Sequence, residues 1–192
     1  MVTGMGTDMV TVIQKKDNSV QKPMSNWYAV YVNVKHEKKV VSKLAEKGIE
    51  AYSPFIKRLQ QWSDRKKWVK FPMLSGYVFV KIDGNQREDV LSCQGVFSFI
   101  KFNGVEAKIK ESEIAVLKSI EASGYDAVSD TTDVKLADQV EVSQGPLKGV
   151  KGTVIETPNA SYFKIQLQGI HQSIKVTLPK HSLTVQPLNN HS

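Results

Sequence analysis

The residues best suited to chemistry lie in one run, Lys57-Arg58-Leu59-Gln60-Gln61-Trp62-Ser63-Asp64-Arg65-Lys66-Lys67-Trp68-Val69-Lys70, which interleaves cations with two tryptophans. Ammonium and guanidinium groups neutralise phosphates and indoles stack on unpaired bases. The chemistry offered is therefore nucleic-acid binding, through Lys57, Arg58, Trp62, Arg65, Lys66, Lys67 and Trp68. A solvated hairpin whose tryptophans cover a sheet would leave the same signature. Lys35, His36, Lys38 and Lys39 form a second basic cluster at the start of a predicted helix, where a plain solvated helix face is the other reading. Catalysis has less to stand on. His36, His171, His181 and His191 occupy unrelated contexts, Ser182 beside His181 lacks a third partner, and no glycine-rich phosphate loop of the P-loop or dinucleotide type is present. No Cys/His pair has zinc-ligand spacing. The expectation is a binding protein rather than an enzyme, with no metal and no cofactor.

Bulk properties agree with an acidic partner. The chain has 192 residues and a formal net charge of +7, which leans toward nucleic acid. The single Cys93 cannot form an internal disulfide, so a reducing cytoplasm is the expected compartment, with Cys93 as a small buried apolar residue. The apolar run Met9-Val10-Thr11-Val12-Ile13 is too short for a secretory signal, and no segment approaches the roughly 20 apolar residues of a membrane span. A monomer with no membrane partner is expected.

These side chains must be positioned by two kinds of element. Trp27 to Val34 reads as a strand, Glu37 to Lys47 as a helix stopped by Gly48, Ile49 to Ile56 as a second strand and Gly76 to Ile82 as a third. The basic run between the last two is long for a hairpin loop, which signals function or disorder. Gln86 to Cys93 fits a short helix, Val96 to Phe102 a fourth strand, and Glu111 to Ile120 a last helix with Ile114, Leu117 and Ile120 on one face. This βαββαβ order predicts an α+β, ferredoxin-like domain over residues 26–120, behind a disordered tail at 1–25.

Alternation gives that sheet two apolar faces. Tyr28, Val30, Val32 and Val34 share one side of the first strand with Val78, Val80 and Ile82 of the third; Trp27, Ala29 and Tyr31 share the other with Tyr77 and Phe79. The aliphatic side suits packed helices. The aromatic side must be covered by another element, a partner or stacked bases.

Residues 121–135 carry Ser, Gly, Asp and Thr with little periodicity and read as a linker. Residues 136–187 then predict a small SH3-like β-barrel, with a tail at 188–192. Its signature is Gly145-Pro146-Leu147-Lys148-Gly149-Val150-Lys151-Gly152-Thr153-Val154, in which Gly149 and Gly152 offer places to bend or to admit another backbone. Strands are expected over Tyr162 to Leu167 and Ser173 to Leu178, with a reversal at Gln168-Gly169-Ile170-His171.

The pair of domains resembles the NusG/Spt5 transcription elongation factors, which join an NGN domain to a KOW domain. Trp27-Tyr28-Ala29-Val30-Tyr31 is similar to the family's opening strand. Pro72-Met73-Leu74-Ser75-Gly76-Tyr77-Val78-Phe79-Val80 is similar to its Pro-Leu-Phe-Pro-Gly-Tyr-Val-Phe-Val signature. The resemblance implies that an apolar patch, here Tyr31, Leu74, Tyr77 and Phe79 with Val96 and Phe99 at its edge, holds the clamp helices of RNA polymerase. It also places the basic run beside upstream or non-template DNA, with nascent RNA a further candidate, and sets the Lys35 cluster where specialised paralogues touch the non-template strand. For the KOW domain it implies docking to ribosomal protein S10 or to Rho through Leu147, Ile170 and His171. Leu74, Ser75 and Leu147 depart from the family pattern. They point to a specialised antiterminator of the RfaH or polysaccharide-locus kind, and they argue against Rho. The β-branched content of the barrel argues against a switch to helix. The competing reading is a stand-alone RNA-binding protein, since an RRM has the same element order and places aromatics on an open sheet.

Overall fold

The computed structural model describes residues 25–130, 139–142, 145–157, 160–178 and 185–187. The tails expected at the two ends lie outside that range, apart from Ser25. The N-terminal half runs β1 (Asn26–Val32), α1 (Glu37–Glu46), β2 (Glu50–Tyr52), β3 (Phe55–Gln61), β4 (Lys66–Pro72), β5 (Tyr77–Ile82), α2 (Arg87–Leu91), β6 (Val96–Phe99), β7 (Lys101–Phe102), β8 (Val105–Glu106), β9 (Lys108–Ile109) and α3 (Glu111–Ser123). After it come β10 (Asp126–Asp130), β11 (Gln139–Val142), β12 (Lys151–Thr157), β13 (Ala160–Leu167), β14 (Gln172–Leu178) and β15 (Val185–Pro187).

The first sheet has the order β2-β5-β1-β6, with β9 also paired to β1. This is the split arrangement expected of a ferredoxin-like domain. Its aliphatic face packs on α1 and α2: Val30, Val32, Val78, Val80 and Ile82 form one buried cluster with Val40, Leu44, Val90 and Cys93. Each such side chain contributes about 1.5–3 kcal/mol on burial. Helix α1 forms because Val40 and Leu44 recur one turn apart, and it ends before Gly48, whose φ of +73° only glycine adopts freely.

The second sheet has the order β10-β14-β13-β12-β11-β15. Two features of the glycine-rich segment come out as expected. Gly149 turns the chain at φ +83°, and Gly152 lets the Lys164 carbonyl approach so closely that a Cβ there would lie 2.5 Å from it. The 121–135 stretch differs from its reading as a linker. Helix α3 continues to Ser123, and Asp126–Asp130 pairs residue for residue with β14 from Asp126↔Thr177 to Asp130↔Ser173. Pairing of this kind uses backbone groups, and Ala127 alone among these residues is fully buried, so no side-chain period announces the strand. Residues 131–135 lie outside the described range.

The basic run is an ordered two-stranded hairpin. Strands β3 and β4 pair at seven positions, from Phe55↔Pro72 to Gln61↔Lys66, and form a sheet of their own. The predicted fourth strand is broken into β6 and β7, the latter closing a small hairpin with β8.

Candidate functional site

Strands β1 and β5 set the aromatic face. Their register places Tyr31 opposite Tyr77 and Ala29 opposite Phe79. The two tyrosine rings lie 5.0 Å apart between centroids, with hydroxyls 3.1 Å apart, and form a ledge on which Tyr31 is 42% exposed. Burial first, and then the hydrogen bond and charge of Tyr31, hold the Tyr77 phenol above its ordinary range; a hydrogen bond with the Gln172 side chain opposes the shift. Leu74 and Phe79 lie behind this ledge and are fully buried. Farther along, Trp27 donates its indole N–H to Glu111 at 2.8 Å, with the Lys81 and Lys118 ammonium groups at 5.7 and 5.8 Å from its ring.

The cover on this face is helix α3 and the second sheet. One continuous buried cluster joins Leu74, Phe79, Ile109 and Leu117 to Phe163, Ile165, Ile170 and Ile174. Specific contacts hold the halves together. The Phe102 and His171 rings stack at 4.1 Å, Ser129 donates its backbone N–H to the Met73 carbonyl at 3.1 Å, and Gly169 donates to Glu113 at 3.3 Å.

Several expected positions are corrected by this packing. Phe99 pairs with Val30 across β1 and β6, so it belongs to the helix-side cluster and meets Tyr28 edge-on at 6.0 Å; Val96 packs there too. A register shift between Tyr31 and Val32 accompanies this, and simple alternation does not foresee it. Leu147 and Ile170, expected on the partner-binding surface of the C-terminal half, are buried, while His171 is exposed but stacked on Phe102. The RRM-like reading also meets an obstacle, because Phe79 is not on an open sheet.

Among the basic candidates, Trp62 and Trp68 are 57% and 64% exposed and therefore do not cover a sheet. Lys57, Arg65, Lys66 and Lys67 are exposed as expected. Arg58 is different: it pairs with Asp126 and donates to the Ala127 carbonyl at 3.3 Å, so its guanidinium ties the hairpin to β10. Lys35, His36, Lys38 and Lys39 are exposed at the start of α1. A groove of about 500 Å³ brings Lys35 and Lys38 to the hairpin base, where Phe55, Lys70 and Phe71 line its other side. The Lys38 ammonium lies 4.7 Å from the Phe55 ring centroid.

Glu37 is a positioning residue that pattern reading missed. It is 2% exposed, and its carboxylate accepts the Gly76 backbone N–H at 2.8 Å, fixing the turn that launches β5 against the start of α1. A first-turn glutamate is ordinary in sequence, so nothing local marked it. Glu37→Ala is expected to destabilise the fold by about 1–3 kcal/mol by stranding that buried donor, with Glu37→Gln recovering most of the loss. Urea unfolding of the three proteins measures it.

Among the described residues no helix is long and apolar enough to cross a membrane, and no cluster of metal-ligating side chains occurs. The family model described as transcription termination factor nusG matches residues 25–118. The solved structure described as "Domain interaction in Thermotoga maritima NusG" superposes with a TM-score of 0.51 at 21% identity, covering 85% of this chain and 97% of that one. At that identity the likeness concerns the fold. The MjSpt4:Spt5 complex in conformation A is matched at 18% identity and a TM-score of 0.30, over 84% of this chain and 98% of that one. No curated protein matches the sequence. The sheet order, the Gly76-Tyr77 turn tied to α1 and the matched span coincide, and residues 25–118 of the chain are a NusG domain.

Proposed function

We propose that this chain is a cytoplasmic, non-catalytic elongation and antitermination factor whose aromatic sheet face takes the clamp helices of RNA polymerase. The observation that carries the reading is the Tyr31–Tyr77 ledge: two tyrosines in tilted ring contact, Tyr31 exposed and Tyr77 half-buried, at the edge of an apolar face otherwise occupied by the chain's own second sheet. Aromatic anchors in a desolvated groove dominate protein interfaces, and a tethered cover that can leave is suited to hold such a face out of water until a partner arrives. The second sheet is then the KOW arm, offered to ribosomal protein S10 once released. The Leu74, Ser75 and Leu147 departures favour a specialised paralogue that serves particular operons, with Rho not among its partners.

Tyr77→Ala tests this reading better than changes at Phe79 or Leu74, whose complete burial would cost about 3–5 kcal/mol of stability on truncation. The expected result is a folded protein that no longer captures the polymerase clamp. Retained capture by folded Tyr77→Ala would remove the ledge from the interface. Capture of single-stranded RNA by the aromatic face in place of polymerase would revive the RRM-like alternative.

A further inference from the structure

Strand β10 is hydrogen-bonded along both edges, to a different half of the molecule on each. Its register with β14 pairs Asp126↔Thr177, Val128↔Lys175 and Asp130↔Ser173, with Ala127↔Val176 and Ser129↔Ile174 between them. In an antiparallel ladder, alternate residues turn their N–H and C=O toward the same neighbouring strand. Ala127 and Ser129 turn theirs away from β14: the Ala127 carbonyl accepts from the Arg58 guanidinium at 3.3 Å, and the Ser129 N–H donates to the Met73 carbonyl at 3.1 Å. Asp126, Val128 and Asp130 therefore face β14. The two end carboxylates divide in the same way. Asp126 pairs with Arg58 of the β3–β4 hairpin, while Asp130 lies 3.4 Å from the ammonium of Lys164, a buried residue of β13.

We propose that β10 is a strap: it zips onto both halves when the second sheet covers the aromatic face and comes off both when that cover leaves, so that the chain opens in one step. The strap deepens the proposed function by naming what controls release of the cover, and depends on that reading only for the partner that benefits. Little in the strand holds it by itself. Asp126, Ala127 and Asp130 are poor strand formers, and Val128, the one good one, is 39% exposed. With Ala127 alone fully buried, the strand depends on the backbone groups and charges that its two neighbours supply.

Its connection to α3 suits such movement. Gly124 ends the helix at φ +74°, and a Cβ there would meet nothing within 4 Å, so no packed side chain fixes the direction in which the strap departs. A permanent sixth strand of the second sheet would need no bonds on its outer edge and would travel with the sheet. Here the outer edge and the Asp126 carboxylate are spent on the N-terminal half, so separation of the halves costs the strand one of its two sets of partners. Unzipping adds residues 124–130 to the chain between α3 and the second sheet, about 23 Å when extended, and lengthens the reach of the released arm.

The test is native-state amide hydrogen exchange of the full chain, read residue by residue by NMR across low urea concentrations. The Ser129 and Gly169 amides, which donate to Met73 and Glu113 of the other half, report separation of the halves. Val128 and Asp130 report pairing with β14, and Val176, whose amide faces β13, reports the second sheet itself. The expected result is a single opening: Val128 and Asp130 have protection factors within about threefold of Ser129 and Gly169, with the same urea dependence, and about tenfold or more below Val176. Val128→Pro removes a donor to β14 and should lower the Gly169 protection factor by about tenfold while Val176 stays protected. Protection at Val128 and Asp130 that follows Val176 would make β10 a permanent strand of the second sheet. Exchange of these two amides ahead of Ser129 and Gly169, with no urea dependence, would make it a loose edge. Either result overturns the strap, as does a Gly169 amide unmoved in folded Val128→Pro. Should Val128→Pro unfold the second sheet, the exchange pattern of the unmodified chain still decides. Polymerase takes no part in these measurements, so failure of the strap and failure of clamp capture are read separately.

Discussion

Replacing Gly169 with alanine is expected to part the two halves of the molecule while leaving each folded. A Cβ at Gly169 would lie 2.7 Å from the Lys108 carbonyl oxygen and 2.7 Å from the Ile109 Cδ1. The carbonyl belongs to a strand paired with β1, so it cannot yield locally. The turn carrying Gly169 is the connection between β13 and β14 and belongs wholly to the second sheet. Withdrawing that sheet therefore relieves the collision, at the expense of the Phe102–His171 stack, the Gly169–Glu113 and Ser129–Met73 bonds, the Arg58 contacts with β10 and the buried cluster the halves share. An extra methyl group in packed contact costs about 1–3 kcal/mol, and 2 kcal/mol corresponds to roughly a thirtyfold shift toward the open form. Small-angle scattering should report a larger radius of gyration, and heating should give two transitions in place of one. On the proposed function, polymerase capture should tighten in step, because the aromatic face no longer has to be vacated first. An unchanged radius in folded Gly169→Ala would show that this close approach does not hold the halves together.

Gly152→Ala is expected to strike the second sheet itself. Its Cβ would meet the Lys164 carbonyl at 2.5 Å and the Phe163 ring at 2.7 Å. Both neighbours belong to β13, which pairs with β12 from Thr153↔Lys164 to Thr157↔Ala160, and Phe163 is fully buried. Neither a backbone oxygen nor a packed ring can turn aside, so the strands must separate. A loss of about 3 kcal/mol or more is expected, at the upper end of overpacking effects, with a fall in melting temperature of about 10 °C or more for a unit this small. Gly149→Ala supplies the contrast: a Cβ there meets nothing within 4 Å, and the penalty is only that of its φ of +83°, about 1–2 kcal/mol. Calorimetry of the two variants separates a steric glycine from a conformational one. Equal melting temperatures would contradict the distinction.

The parts of the fold that were legible in sequence are those with a local period. Strands β1 and β5 alternate, α1 and α3 carry their apolar residues one turn apart, and Ile114, Leu117 and Ile120 are buried as their spacing requires. The hairpin's composition was legible but its order was not, because a run of Lys, Arg, Gln and Trp fits a loop as well as a ribbon. Strand β10 left no trace, since Asp126–Asp130 is held by the backbone edge of β14. The side of the sheet on which Phe99 lies escaped for a related reason: its partner is Val30, and a register shift separates that pair from Val32↔Val96.

By itself the sequence determined that the sheet has one aliphatic and one aromatic face, that cations and indoles gather between β3 and β4, and that the glycine-rich segment needs close approach. Those properties follow from side-chain direction and backbone freedom, which neighbouring residues set together. Only the tertiary structure decided that the second sheet covers Leu74 and Phe79, that Leu147 and Ile170 are interior, and that one hairpin face is spent on Asp126 while the other stays open. Each of these depends on which distant segment arrives. Arg58 meets Asp126 across 68 positions, and Gly169 meets Glu113 across 56. No periodicity within either segment encodes such a meeting, because burial belongs to the pair of surfaces and not to either one alone.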